Sequence, residues 1–217
     1  MFYTIKQNFE KIADSNKASQ MEKYMRGRFK FYGIQTLDRR LAEKEILRLA
    51  KQEKSIRWDE LDQIWDDDHR EMQYFVCDFL LKFKNKLTYE DLAHVKKYVT
   101  SKQWWDTIDS LMKVYGQVGL TDHRVDQLML KWSQDPDFWL RRVAIEHQLL
   151  RKDKMKVALL EQILLNNLND NEFFVNKAIG WALRDYSKTN PAWVKNFIEE
   201  NQADLNPLSI KEGSKYL

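Results

Sequence analysis

Three aromatic doublets, Trp104-Trp105, Phe138-Trp139 and Phe173-Phe174, recur along the second half of this chain at nearly constant spacing. Phe138 lies 34 residues after Trp104, and Phe173 lies 35 after Phe138. A period of that size marks stacked helical pairs, since one pair cannot bury its apolar face without a neighbour. Composition agrees: only six glycines and three prolines occur among 217 residues, 32% of which are charged. That is the balance of an all-helical soluble protein. With 43% hydrophobic residues the chain can bury a substantial core as one domain or one extended repeat array. No strand pattern of any length interrupts it.

The repeat also sets different side-chain types on one helix face. Counted from the second aromatic of each doublet, Asp109 lies four residues after Trp105, Arg142 three after Trp139, and Lys177 and Trp181 three and seven after Phe174. Such offsets form a single stripe of an α-helix. If equivalent helices line the inside of a curved stack, Trp105, Asp109, Arg142, Lys177 and Trp181 converge on one concave surface. That surface holds a carboxylate, a guanidinium, an ammonium and two indoles.

Along the chain, residues 1–55 read as N-terminal basic helices, 56–190 as the repeat pairs carrying the stripe, and 191–217 as C-terminal capping helices, all within one domain. Helices are expected over Phe2 to Ile12, Gln20 to Met25 with Ser19 as cap, and Leu37 to Gln52 with Thr36 as cap. In the last, Leu41, Ile46, Leu47 and Leu49 are expected to be buried, and Arg39, Arg40, Lys44 and Arg48 to face outward. The segment GRFKFYGIQT between them breaks the pattern, with Gly33 as a turn. Next come Trp58 to Trp65 and His69 to Phe83, the latter with Phe75, Phe79, Leu80 and Phe83 as core. Thr88 and Asp91 make a partial capping box for a helix to Tyr98. The helix carrying Asp109 is expected from Gln103 to Tyr115, stopping near Gly116 and Gly119. Arg124 to Trp132, Pro136 to Leu150, Lys156 to Leu168, Glu172 to Tyr186, Pro191 to Asn201 and Pro207 to Tyr216 complete the array, with Pro136 in a first turn.

Several chemistries are excluded by what the sequence lacks. There is no phosphate-cradling glycine loop, no HExxH, no Gly-x-Ser-x-Gly and no cysteine cluster. His69, His94, His123 and His147 are scattered, so neither a metal nor a nucleotide cofactor is expected. Cys77, the single cysteine, reads as a small buried residue, and its isolation points to a reducing cytoplasm. The first residues, MFYTIKQNFE, carry no signal-peptide core, and no apolar run reaches membrane length. Net charge is only +3, but residues 1–55 hold thirteen Lys/Arg against seven Asp/Glu, while Asp59 to Asp68 carries no basic residue. Such asymmetry suits a polyanion-binding face, or simply a solvated one.

Five segments together, MEKYMRGRFKFYGIQTLDRR, HREMQYFVCDFLL, SKQWWDTIDSL, DPDFWLRRVAIEHQL and NEFFVNKAIGWALRDYSKTNP, resemble the AlkD-like DNA alkylation repair family in content and order across nearly the whole chain. The resemblance implies a right-handed α-solenoid of HEAT/ARM-like helix pairs with a concave DNA-binding face. It also implies monofunctional glycosylase activity on cationic N3- or N7-alkylated purines in double-stranded DNA, by a monomer without cofactor. The family's catalytic aspartate falls on Asp109, its two cleft tryptophans on Trp105 and Trp181, and its phosphate-gripping arginine on Arg142. Tyr24 and Gln35 match polar residues near the family's DNA cleft, and Arg141, Lys177 and Arg184 are further candidates for phosphate contacts. Asn176 departs from the basic residue that many relatives carry at that position, which bears on one backbone contact.

Blander readings exist for the same residues. Trp104 is expected to be core, Asp106 and Asp109 could simply complement a helix dipole, and Arg142 could be a structural partner of Asp109 in the absence of DNA. Two other functions remain open: a non-catalytic binder of distorted or branched DNA on the same fold, and a helical-repeat protein-interaction scaffold.

Overall fold

The computed structural model describes residues 1–53 and 55–217. Lys54, one of the basic residues counted in the N-terminal segment, lies outside the described residues. The described chain forms thirteen α-helices and no strand, with one isolated bridge between Lys30 and His69. None of these helices is long and apolar enough to cross a membrane. The chain divides into two compact units, Met1–Phe83 and Lys84–Leu217, so the break falls well beyond residue 55.

The first unit holds α1 (Phe2–Lys11), α2 (Ser15–Tyr24), α3 (Thr36–Ala50), α4 (Trp58–Asp66) and α5 (Arg70–Phe83). α1 packs on α3 and α4, and α5 packs on the same two helices. α2 starts five residues earlier than the sequence suggested, because the Asp14 carboxylate caps it through the Asn16 and Lys17 N–H groups at 3.0 and 3.1 Å. The irregular stretch before α3 is held by the buried Glu71 of α5, whose carboxylate accepts the backbone N–H groups of Tyr32, Gly33 and Ile34 at 3.0, 2.9 and 3.0 Å. Gly33 sits there at φ +85°, a conformation that a side chain would strain.

α3 departs most from its expected pattern. Its buried face consists of Arg39, Glu43, Ile46 and Ala50, whereas Leu37, Leu41 and Leu49 are exposed and Leu47 is half-buried. The reason lies on the neighbouring helix: Arg39 donates to Glu43 at 2.8 Å and to Asp78 of α5 at 2.7 Å. A paired guanidinium can therefore stand where a leucine was expected.

The second unit contains α6 (Leu92–Val99), α7 (Trp105–Val118), α8 (Arg124–Trp132), α9 (Phe138–Glu146), α10 (Val157–Leu165), α11 (Phe173–Ser187), α12 (Pro191–Glu200) and α13 (Pro207–Gly213). Helices α7, α9, α11 and α13 pack in succession as one layer. α8 and α10 lie against α9, and α12 lies against α11. α7 runs past Gly116, which is not a stop signal: a Cβ there would come 2.3 Å from the His147 carbonyl, so glycine permits the close approach of α7 to the end of α9. Pro136 lies outside α9, which begins two residues later because Asp137 is its cap. Thr88 and Asp91 do pair, through the Thr88 N–H and hydroxyl at 2.8 and 2.9 Å. Cys77 is buried, in line with its small apolar role.

Candidate active site

Register is the first thing the helix starts decide. α7, α9 and α11 begin at Trp105, Phe138 and Phe173, which makes Asp109, Arg142 and Lys177 the fifth residue of each helix and Lys113, Glu146 and Trp181 the ninth. Alignment by aromatic doublets was therefore one residue off at α7. Trp104 is the extended residue preceding that helix, in the place that Asp137 and Glu172 take before α9 and α11, and its ring reaches Trp139 and Phe174 from there. These three rings pack together, with centroids 5.9 Å apart for Trp104 and Trp139, 4.7 Å for Trp139 and Phe174, and 5.3 Å for Trp104 and Phe174. Burying them stabilises the layer by roughly 2 to 3 kcal/mol per side chain. Trp105 is left half-buried at the start of α7, on the same helix face as Asp109 one turn on.

The helix starts are tied to one another by polar side chains. Asp137 accepts the Trp139 N–H at 2.9 Å and the Gln103 amide at 2.6 Å, joining the beginning of α9 to that of α7. Arg141 donates to Asp170 at 2.7 Å and to the Asp135 carbonyl at 3.1 Å, joining α9 to the loop before α11. Asn176 is buried, with its amide donating to the Asp170 and Glu172 carbonyls at 2.8 and 3.1 Å. The departure at Asn176 is thus a matter of the α11 start and not of an exposed surface.

At the centre, Arg142 donates from Nε to Asp109 Oδ1 at 2.9 Å and from Nη2 to Asp109 Oδ2 at 3.1 Å. Its Nη1 donates to the Phe174 carbonyl at 2.7 Å. The same Nη2 lies 2.9 Å from Glu146 Oε1, one turn further along α9. Arg142 is 1% exposed, its guanidinium enclosed by Asp109, Glu146 and the Phe174 carbonyl. The blander alternative, a partner for Asp109, describes what it does here. Asp109 keeps 21% of its side-chain surface exposed. Glu146 is fully buried, and burial pushes its carboxyl well above the usual carboxylate range. Arg142 opposes that rise, while the charge of Asp109 adds to it.

Asp109, Lys113, Glu146, Trp181, Arg184 and Asp185 border a cavity of about 310 Å³. The Trp181 ring has the Arg142 guanidinium 5.3 Å from its centroid, with Lys177 and Arg184 each at 5.9 Å. Lys177 and Arg184 are both held by Glu212 of α13, at 2.9 and 2.8 Å. Lys177 and Lys215, which also bonds Glu212, pull that carboxyl down to about 2. The structure thus brings Asp109, Arg142, Lys177, Trp181 and Arg184 together, with Trp105 one turn away outside the cavity lining. Tyr24 and Gln35 are exposed, the last residue of α2 and the residue capping α3, and belong to the first unit. Glu146 and Lys113 were missed from sequence. Both follow from the corrected register, and Glu146 also from its i,i+4 spacing to Arg142. Among the described residues no group of three or more His, Cys, Asp or Glu side chains could hold a metal ion.

Fold and site together define an all-helical repeat protein whose second unit presents a guanidinium-held carboxylate at an indole-bordered cavity. The chain belongs to the DNA alkylation repair enzyme family, whose model matches residues 5–217. It is similar to a structure described as a predicted DNA alkylation repair enzyme from Enterococcus faecalis, with 34% identity, a TM-score of 0.88, and coverage of 94% of this chain and 96% of that one. Two Streptococcus mutans structures share the fold at 19% identity. AlkD2 has a TM-score of 0.63 over 80% of this chain and 89% of its own. The protein smu.31, from strain UA159, has a TM-score of 0.62 over 82% of this chain and 92% of its own. No curated protein matches the chain.

Proposed function

We propose that this protein is a monofunctional DNA glycosylase that hydrolyses the N-glycosidic bond of cationic N3- and N7-alkylated purines in duplex DNA, acting as a monomer. The observation that carries the reading is Asp109: a partly exposed carboxylate, fixed through both oxygens by a buried arginine, at a cavity bordered by Trp181. An alkylated purine of this kind already bears a positive charge, so it leaves without being protonated. The C1′–N bond breaks with its electron pair passing to the ring nitrogen, which neutralises the base. A water oxygen then bonds to C1′, its proton is lost to solvent or to Asp109, and the products are the free base and an abasic sugar.

In between, positive charge develops on the deoxyribose. A preorganised carboxylate at Asp109 stabilises it by several kcal/mol, on the order of other fixed electrostatic contributions. The indoles of Trp105 and Trp181 add roughly 0.5 to 2 kcal/mol each by cation–π attraction. Arg142 serves in this reading as the holder of Asp109. Lys177 and Arg184, half-buried on α11, together with Arg141, Tyr24 and Gln35, are the proposed contacts to the DNA backbone.

One observation favours a second reading: Arg142 already neutralises much of the Asp109 charge, as it would in a non-catalytic binder of distorted or branched DNA. Mass-spectrometric measurement of free 7-methylguanine and 3-methyladenine from methylated duplex DNA separates the two. Release above the uncatalysed background supports the glycosylase. Salt-dependent DNA binding without release selects the binder, and failure to bind DNA overturns both.

A further inference from the structure

One guanidinium nitrogen in the second unit serves two carboxyl groups. Arg142 Nη2 lies 2.9 Å from Asp109 Oδ1 and 2.9 Å from Glu146 Oε1. Glu146 is fully buried, and neither of its carboxyl oxygens has a hydrogen-bond geometry to any partner. A side chain so placed would be costly if it served only to pack, because leucine would fill the position without a buried charge to satisfy. We propose that Glu146 is a positioning residue for Asp109 that sets the net charge of the site: ionised, it leaves the three groups with one uncancelled negative charge facing the cavity, and protonated, it leaves none.

Charge counting carries the argument. Arg142 contributes one positive charge, which a single ionised carboxylate cancels. With Glu146 neutral, a sugar cation forming beside Asp109 meets an ion pair of zero net charge. With Glu146 ionised it meets a net anion, in surroundings where water screens poorly. The charged groups acting on Glu146 are Arg142 on its own helix and Asp109 and Lys113 on α7, while Arg184 and Asp185 of α11 and Lys188 just after it border the same cavity. Lys113 and Lys188 are exposed and screened, Arg184 is tied to Glu212, and Asp185 accepts the Leu150 N–H at 2.7 Å. The neighbouring His147 is buried, with its pKa pushed down to about 3, and adds no charge. Burial and the nearby Asp109 hold the Glu146 carboxyl above the usual carboxylate range.

The first unit supplies an internal control. There Arg39 is shared in the same way between Glu43, four residues on, and Asp78 of the adjacent helix, at 2.8 and 2.7 Å. That cluster borders a different cavity with no aromatic residue.

The inference rests on the glycosylase reading, and its test is the single-turnover rate of 7-methylguanine release from duplex DNA across pH for wild type, Glu146→Gln, Glu146→Asp and Glu43→Gln. The ratio of wild type to Glu146→Gln cancels titration of the substrate. It should rise with pH in one single-proton step, from near unity to about tenfold or more. Glu146→Asp should recover part of that step, and Glu43→Gln should follow wild type throughout. A ratio that stays constant with pH assigns Glu146 to packing alone and overturns the proposal while leaving the glycosylase reading intact. Should Glu146→Gln fail to fold, the ratio of wild type to Glu146→Asp serves instead, and a pH-independent ratio there overturns the proposal equally. Absence of release by wild type at every pH overturns both readings together.

Discussion

Asp109 has both carboxylate oxygens on one guanidinium, and that pairing governs what substitution at each member of the cluster should do. Arg142→Ala strips two buried or half-buried carboxyl groups of their shared partner and vacates the volume beneath Trp181 and Phe174. It should lower the unfolding free energy by about 3 to 5 kcal/mol in urea titrations, far beyond the effect of losing a surface phosphate contact. A loss below about 1 kcal/mol would mean that the buried pairing is not maintained in solution. Asp109 itself was legible in sequence because it sits on the face that also carries Trp105. The enclosure of Arg142 was not, since sequence marks a cation at the right helical position without saying whether the nearest anion is a phosphate or a carboxylate of the same chain.

The site depends on where α7, α9 and α11 start, and those starts are set by short-range polar contacts. Asp137 illustrates the point, because it caps α9 and also holds Gln103 ahead of α7. Asp137→Ala should cost about 1 to 2 kcal/mol of stability, measured by thermal or chemical denaturation, with α9 fraying first. Protection of the first-turn amides of α9 from hydrogen exchange should fall before that of α11; equal protection would deny the cap its role. The existence and order of the helices were readable from apolar periodicity and the aromatic doublets, but not every length: α9 ends at Glu146, four residues short of the expected Leu150. The one-residue slip at α7 was not, because Trp104 takes the place before that helix that Asp137 and Glu172 take before α9 and α11. A tryptophan there carries no side-chain cap, so nothing in the local sequence marks the boundary. α3 failed for another reason: Leu37 and Leu41 follow a helical stripe as well as Arg39 and Glu43 do, and only Asp78, 35 residues beyond Glu43, decides which stripe is buried.

Across the whole molecule, buried titratable groups should limit stability on both sides of neutrality. His147 has its pKa pushed down to about 3, chiefly by burial and then by the Arg151 charge. The unfolded chain therefore takes up a proton there first, and stability should fall as pH drops below the ordinary histidine range toward about 3. Glu43 is pushed up to about 8 by burial, against the pull of Arg39. The folded state keeps that proton longer, so its contribution is complete below the ordinary glutamate range and is lost as pH rises toward about 8. Glu43→Gln should remove on the order of 1 to 3 kcal/mol of this fall in urea titrations between those limits; an unchanged slope would place the proton elsewhere. The central claim is that Asp109 stabilises a sugar cation during base release, and it is tested most directly by single-turnover release of 7-methylguanine from methylated duplex DNA by wild type and Asp109→Asn. Because asparagine can still accept from Arg142, the variant should fold with a loss of only about 1 to 2 kcal/mol. It should release the base at least about a hundredfold more slowly than wild type, whereas equal rates from a folded variant would contradict the account.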